Sequence, residues 1–323
     1  MVHAIRIHKP GGPEALQWDE IEVGAPGPGQ IRLRHTAVGL NFIDVYHRTG
    51  LYPQPLPFIP GMEGAGVVEA VGPNVTSLKI GDRVAYAGSI GSYAEARLIQ
   101  ADRVVKLPAG ITDQQAAAMM LQGMTVRYLI REVYPVKAGD TILIHAAAGG
   151  VGLILCQWAN ALGATVIGTV SSEEKAALAR ANGCHHPIIY THEDFQKRVV
   201  EITQGKKLPV VYDSIGRDTF NQSLDCLRPR GLLALFGQAS GTVPPVDLNI
   251  LAQKGSLSIT RPTLQTFIAT ADDLKTTAED LFDVVLGGKV KISVNQTYPL
   301  KNAEQAHRDL EARKTTGSTV LTV

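Results

Sequence analysis

The chain has 323 residues, 45% of them hydrophobic and 19% charged, enough to build two cores and too apolar for a disordered polypeptide. Thirty-one Lys and Arg against 30 Asp and Glu leave a formal charge of +1, which excludes a basic footprint for polyanions and an acidic tail; nucleic acid is not an expected partner. Three cysteines, Cys156, Cys184 and Cys226, exclude a disulfide framework and a Cys-rich zinc lobe and fit a reducing compartment.

In chain order, Met1 to Gly12 mixes His3, Arg6, His8 and Lys9 with isolated apolar residues and lacks a signal-peptide core. The most apolar stretch, Ala146 to Cys156, is too short for a membrane span and holds three glycines. A cytoplasmic protein without membrane contact is expected. From Met1 to about Pro108 short alternating runs, such as Gln30-Ile31-Arg32-Leu33-Arg34 and Gly66-Val67-Val68-Glu69-Ala70-Val71, are separated by Gly and Pro turns and predict a compact, mainly β domain.

At Thr141 the rhythm changes. Strand-like segments 141–147, 164–170, 186–190, 209–214, 231–237 and 256–260 follow one another. Helical segments 151–162, 172–182, 193–203 and 219–227 separate the first five. Strands alternating with crossover helices predict an α/β fold with a doubly wound parallel sheet. Beyond Pro262, helices are expected over 271–286 and 301–313, then a β-type tail over 318–323.

The first strand-to-helix junction reads Ala147-Ala148-Gly149-Gly150-Val151-Gly152, a G-x-G-x-x-G pattern with alanine in its first position. Glycine at 149 allows backbone N–H groups to approach a pyrophosphate, Gly152 allows close helix-to-strand packing, and the helix N-terminus offers partial positive charge. The second strand ends in Gly168-Thr169-Val170-Ser171-Ser172, with no carboxylate to bond a ribose diol or repel a 2′-phosphate. Lys175 lies one turn on, where it can neutralise such a phosphate, so NADPH is expected rather than NADH. Ser171 and Glu174 also have the spacing of a helix-capping box.

The chain resembles the medium-chain dehydrogenase/reductase superfamily, and within it the quinone oxidoreductase group related to zeta-crystallin, the bacterial NADPH:quinone reductases in particular. The resemblance spans the whole chain. It rests on 8–14 (HKPGGPE), Asn41-Phe42-Ile43-Asp44, Gly50-Leu51-Tyr52-Pro53, 61–66 (GMEGAG), Gly81-Asp82-Arg83-Val84, 145–152 and Tyr212-Asp213-Ser214-Ile215-Gly216, in this order. It implies a GroES-like, mainly β catalytic domain from residues 1–124 and 264–323 around a Rossmann domain of 125–263, a cleft holding the nicotinamide, and a homodimer formed through the Rossmann sheet.

Zinc-dependent members of this superfamily carry a Cys near the first-domain loop, a Gly-His-Glu motif and four clustered Cys. Here Asn41 stands in the region of the first ligand, Met62 replaces the His, and no Cys precedes position 156. An amide and a thioether are poor Zn²⁺ ligands, so no metal is expected. Without a Lewis acid, and without a Tyr-x-x-x-Lys pair, the chemistry suited to the site is hydride transfer to an acceptor already electrophilic, a small quinone. The resemblance places Asn41, Asp44, Tyr46 and Tyr52 around the nicotinamide ribose and acceptor, as the candidate catalytic residues. It places Asn41, Tyr46, Thr125, Gly149, Gly150, Val151 and Gly152 along the cofactor and Ser171, Lys175 and Tyr190 at the adenosine phosphate. Ser214, Phe236, Gly237 and Gln238 end later strands; Arg261 and Arg313 are candidate phosphate partners. Other readings of the same residues are Asn41 and Asp44 as caps of a helix beginning near Phe42, and the tyrosines as packing residues. His145 is expected beneath the glycine loop, and His307 on a helix surface.

Two alternatives compete. One is an NADPH-dependent enone or alkenal reductase. The other, of a different class, is an RNA-binding or structural protein like related zeta-crystallins, for which Lys206-Lys207 and Arg228-Pro229-Arg230 are compact basic spots.

Overall fold

The computed structural model describes residues 1–323. The chain opens with β1 (Val2–Arg6), β2 (Gln17–Ile21) and the long β3 (Gln30–Leu40), then α1 (Phe42–Thr49). Next come β4 (Glu63–Val71), β5 (Arg83–Ala87), β6 (Ala96–Gln100), β7 (Val105–Lys106), α2 (Asp113–Ala117) and α3 (Met120–Tyr128). Strand and helix then alternate through β8 (Thr141–Ile144), α4 (Gly150–Ala161), β9 (Thr165–Val170), α5 (Glu173–Ala181), β10 (His186–Ile189) and α6 (Phe195–Ile202). The alternation continues through β11 (Leu208–Asp213), α7 (Phe220–Asp225), β12 (Leu227–Leu235), α8 (Asn249–Gln253) and β13 (Ser258–Thr260). The remaining elements are α9 (Leu264–Phe267), α10 (Ala271–Leu286), β14 (Val294–Pro299), α11 (Ala303–Glu311) and β15 (Ser318–Thr322).

These elements form two compact units, one of residues 1–124, 268–286 and 292–323, the other of 125–267 and 287–291. The boundary differs from the expected 263/264 for a packing reason. Phe267 stacks on Tyr128 with ring centroids 4.4 Å apart, and Gln157 bonds both backbone groups of Lys291, so 264–267 and 287–291 group with the second unit.

The first unit is mainly β. Its larger sheet runs β14-β15-β3-β4-β5-β7, with β6 also on β3. Two register irregularities in β3, at Arg32/Leu33 and His35/Ala37, bend the strand so that it pairs with β6 at its start and with β15 at its end. One core gathers Ile31, Leu33, Val68, Val84, Tyr86 and Ile99; another gathers Ile5, Ile7, Leu40, Tyr93, Ala306 and Leu321. Each large aliphatic side chain so buried contributes about 1.5–3 kcal/mol of transfer free energy. β14, which has no fully buried face to mark it in the sequence, and β15 belong to this sheet.

The second unit is a six-stranded sheet in the order β10-β9-β8-β11-β12-β13, parallel throughout. In order of appearance this is 3-2-1-4-5-6, the doubly wound Rossmann arrangement, whose strand order reverses direction between β8 and β11. Strands buried on both faces, such as β11, whose six residues are all buried, read as continuous apolar runs, which is why the sequence announced them. No helix is long and apolar enough to cross a membrane.

Candidate active site

Because every strand of the second unit runs the same way, the residue after each strand emerges on one edge of the sheet. Ala146 to Gly149 follow β8, Ser171 follows β9, Tyr190 follows β10, Ser214 follows β11, Phe236 to Gln238 follow β12, and Arg261 follows β13. The strand-end positions among the expected nucleotide contacts therefore lie along a single edge, where ligands of open α/β sheets bind, whereas Asn41, Tyr46, Thr125 and Arg313 do not follow strands of this sheet.

The glycine loop sits at its centre. Gly149 is the N-cap of α4, and no side chain caps this helix, unlike α5 and α6, which Ser172 and Asp194 cap. The first-turn N–H groups of α4, including those of Gly150 and Val151, are thus aimed at the edge with the helix dipole behind them. A Cβ on Gly152 would meet Ala146 O at 2.3 Å and the Ala147 backbone at 2.7 Å, so only glycine lets α4 start this close to the strand. Ala146 itself adopts a left-handed φ of 55° to turn the chain into the loop. An uncapped N-terminus and a turn too tight for a side chain fit a pyrophosphate.

After β9 the chain offers Ser171 and then Ser172. The helix cap is Ser172, whose Oγ accepts from Lys175 N at 3.4 Å, not Ser171 as the spacing suggested. That leaves the Ser171 side chain outside the cap, with Lys175 half-buried on the same turn and Tyr190, 40% exposed, after the adjacent strand. No carboxylate directly follows β9. Arg261 is pinned to Leu235 O at 3.1 Å, at the end of the neighbouring β12. Gly237 packs against Ser214, whose carbonyl oxygen would lie 2.6 Å from a Cβ. Thr125 is buried on α3, beside Tyr128.

Behind the loop, His145 is buried as expected. Its ring bridges Thr169 Oγ1 at 2.9 Å and Ser223 Oγ at 3.0 Å. Ser223 and Thr219 in turn donate to Asp213 Oδ2, while Ile215 and Gly216 N–H groups bond Oδ1. Asp213 is fully buried yet fully satisfied, and ties the strand β11 to the turn that presents Ser214.

In the first unit the candidate catalytic residues cluster on α1 and its N-cap. Asn41 is the N-cap, and Asp44 reaches back to its N–H through Oδ2 at 2.9 Å. The two residues form the capping box that the capping reading expects. The Asn41 side chain also donates to Glu63 Oε2 at 2.7 Å and accepts from Gln122 Nε2 at 3.0 Å. Ser318 contacts Gln122 Oε1 at 2.7 Å, and Leu121 N–H bonds Glu63 Oε1 at 2.9 Å. Burial pushes the Asp44 carboxyl up to about 7, and that of Glu63 up to about 8. Tyr46 is buried and meets Tyr52 edge-on, ring centroids 5.2 Å apart, with Tyr52 N bonded to Tyr46 O. Arg313 is exposed beyond α11 in this unit.

His307 corrects the expectation of a surface residue: it is fully buried and hydrogen-bonded to Tyr93 and Arg48. Tyr93 donates to Asp44 Oδ2 at 3.1 Å, and Arg48 pairs with Glu311. Glu63, Gln122, Ser318 and Tyr93 are polar partners of these residues that the sequence reading misses, and His307 is one that it places on the surface. Glu63 leaves a trace in the sequence, as the carboxylate of 61–66 (GMEGAG).

At the two metal-ligand positions of zinc-dependent dehydrogenases the donors present are the Asn41 amide, already committed to Glu63 and Gln122, and the buried Met62 thioether. That donor set does not fit Zn²⁺. No three His, Cys, Asp or Glu side chains meet in a metal-holding group elsewhere.

A family model for zinc-binding dehydrogenases matches residues 150–283, and one for the alcohol dehydrogenase GroES-like domain matches 27–109. The quinone oxidoreductase of Pseudomonas aeruginosa is 54% identical, with 99% of both chains covered. The 2-haloacrylate reductase of a Burkholderia species is 49% identical, with 99% of both covered. The crystal structure of Escherichia coli quinone oxidoreductase complexed with NADPH superposes with a TM-score of 0.98 at 50% identity, covering 99% of this chain and 100% of that one.

Proposed function

The chain belongs to the quinone oxidoreductase group of the medium-chain dehydrogenases/reductases, and from that membership we propose that it reduces small quinones with NADPH, without a metal ion. The single observation that carries this reading is the edge of the parallel sheet: an uncapped glycine helix start beside a second strand end that has serines and a lysine where NAD-binding folds carry an acid. There Gly149, Gly150, Val151 and Gly152 bind the pyrophosphate through backbone N–H groups, while Ser171, Lys175 and Tyr190 hold the adenosine phosphate. Ser214, Phe236, Gly237, Gln238 and Arg261 line the rest of the edge, and Thr125 and Arg313 complete the proposed cofactor set.

Bound NADPH supplies the hydride. Asn41 retains an N–H beyond its bond to Glu63 and orients cofactor or acceptor. Tyr46 and Tyr52 form an aromatic wall, and Asp44 fixes the start of α1 from which Asn41 projects. The stoichiometry is quinone plus NADPH plus one proton giving hydroquinone and NADP⁺. Positioning carries the rate enhancement, since the acceptor is electrophilic without activation.

The Burkholderia relative named 2-haloacrylate reductase supports a second reading, reduction of an activated alkene at its β-carbon. Following NADPH oxidation with benzoquinones, enones, alkenals and 2-haloacrylates separates the two. Turnover of none of them would overturn both. A homodimer through the second unit belongs to this proposal, supported by β13, an outer strand with one edge unpaired. Light scattering that gave a mass near 34.6 kDa would refute it.

A further inference from the structure

Asn41 sits in a chain of four polar side chains, all at least nine-tenths buried: Glu63 0%, Asn41 6%, Gln122 7% and Ser318 4% exposed. The links are 2.7 Å from Glu63 Oε2 to Asn41, 3.0 Å from Asn41 to Gln122, and 2.7 Å from Gln122 to Ser318 Oγ. Ser318 Oγ also lies 2.8 Å from Ala118 O. A hydroxyl has one proton, so with Gln122 Oε1 facing it, two acceptor oxygens compete for one donor.

A half-turn of both amides removes the competition. If Glu63 carries a proton on Oε2, it donates to Asn41 Oδ1, Asn41 Nδ2 donates to Gln122 Oε1, Gln122 Nε2 donates to Ser318 Oγ, and Ser318 donates to Ala118 O. Every donor of the chain then has one acceptor at the same heavy-atom distances, and Asp44 N–H keeps its bond to the Asn41 backbone carbonyl at 3.0 Å. With Glu63 ionised, the order reverses: Ser318 donates to Gln122, Gln122 to Asn41, and Asn41 to the carboxylate. Leu121 N–H holds Glu63 Oε1 in both cases.

We propose that Glu63, Gln122 and Ser318 are positioning residues that set the orientation of the Asn41 amide, and that a proton on Glu63 turns Asn41 from one hydrogen-bond order to the other. The end of the amide turned toward cofactor and acceptor changes with it, from donor to acceptor or the reverse. This rests on the reading of Asn41 as a residue that contacts cofactor or acceptor. The surroundings suit a carboxyl that gains and loses a proton near neutrality. Around Glu63 stand Asp44 from α1, Tyr86 from β5, Tyr93 and, bonded to Tyr86, the neutral His35 from β3; Arg97 lies beyond Tyr86, and burial holds Glu63 at about 8.

The test is the pH profile of kcat/KM for NADPH and a benzoquinone between pH 6 and 9. The wild type is expected to show a step in this range. In Glu63→Gln, Leu121 N–H retains Oε1, so Nε2 must face Asn41 as a donor and mimic the protonated acid; its profile is expected to lack the step. Gln122→Met removes the Asn41 partner in both orders, so neither orientation of the amide is held and the step is expected to shrink. A purely structural role would lower both limbs together and leave the step in place. A step unchanged in both variants, or absent from the wild type, overturns the proposal. Asn41→Ala distinguishes the premise: if it leaves kcat and KM untouched, the reading of Asn41 has failed rather than the relay.

Discussion

Arg48 donates through Nη1 to His307 Nδ1 at 3.0 Å, joining two buried side chains 259 residues apart in sequence. A guanidinium cannot accept, so Nδ1 carries no proton and the imidazole keeps its hydrogen on Nε2. Nε2 then donates to Tyr93 Oη at 3.1 Å, and Tyr93 donates to Asp44. His307→Leu orphans donor and acceptor at once and is expected to cost about 1–3 kcal/mol in urea unfolding. His307→Gln, with an acceptor and a donor of its own, is expected to recover most of the loss.

Stability should pass through a broad maximum in mildly acidic solution. His35 and His307 are pushed down to about 3 from 6.5, His35 by burial and then the Arg97 charge, His307 by burial and then Arg48. The unfolded chain therefore binds more protons than the folded one, and their contribution falls as pH drops from 6.5 towards 3. Asp44 and Glu63 are raised from 3.8 and 4.5 to about 7 and about 8, so the stability they confer is complete below those ordinary values and disappears as pH rises through 7 and 8. The two pairs offset one another between about 4.5 and 6.5. Urea midpoints from pH 3 to 9 check this: Glu63→Gln should flatten the alkaline limb and His307→Gln the acid limb.

Cofactor choice should reside in Ser171, Lys175 and Tyr190. Lys175→Ala is expected to weaken NADPH binding about tenfold or more, the worth of one charge-assisted bond, and leave NADH binding nearly unchanged. Fluorescence titration with both nucleotides decides it, and equal loss for the two would place Lys175 elsewhere.

Gly152→Ala brings a methyl group to 2.3 Å from Ala146 O, in backbone that cannot swing aside. It is expected to abolish NADPH binding or cost more than about 2 kcal/mol of stability. Gly149→Ala, whose nearest contact is 3.2 Å from the same oxygen, should be the milder change.

With an amide and a thioether at the two ligand positions, chelators are expected to leave quinone turnover intact, and elemental analysis of the purified protein should find less than stoichiometric zinc. Activity that disappears with chelator and returns with zinc would contradict the donor chemistry.

The second unit was legible because its signals are local. Apolar runs such as 208–213 and the turn 147–152 declare themselves within a few residues, and parallel connections of one hand leave few ways to arrange them. The first unit's polar chains were not legible, since each link joins distant positions: Arg48 with His307, Gln122 with Ser318, Asn41 with Glu63. Helix α11 is polar along most of its length, and a histidine there reads as solvated until Arg48 and Tyr93 are seen to meet it. β14 alternates half-buried and exposed residues without one fully buried side chain, so it lacks the apolar face that marks a strand. The cap of α5 moved by one residue because Ser171 and Ser172 are both competent caps, and only the backbone decides which stands outside the first turn.

β15 lies between β14 and β3, so residues 318–322 are an inner stave of a sheet whose other members are mostly built from the first hundred residues. A nascent chain emerging from the ribosome has the whole of β8 to β13 in hand long before that stave arrives. The nucleotide-binding half is thereby free to close early, while the half bearing Asn41 waits, its gap between β3 and β14 open to chaperones or to a strand from another molecule.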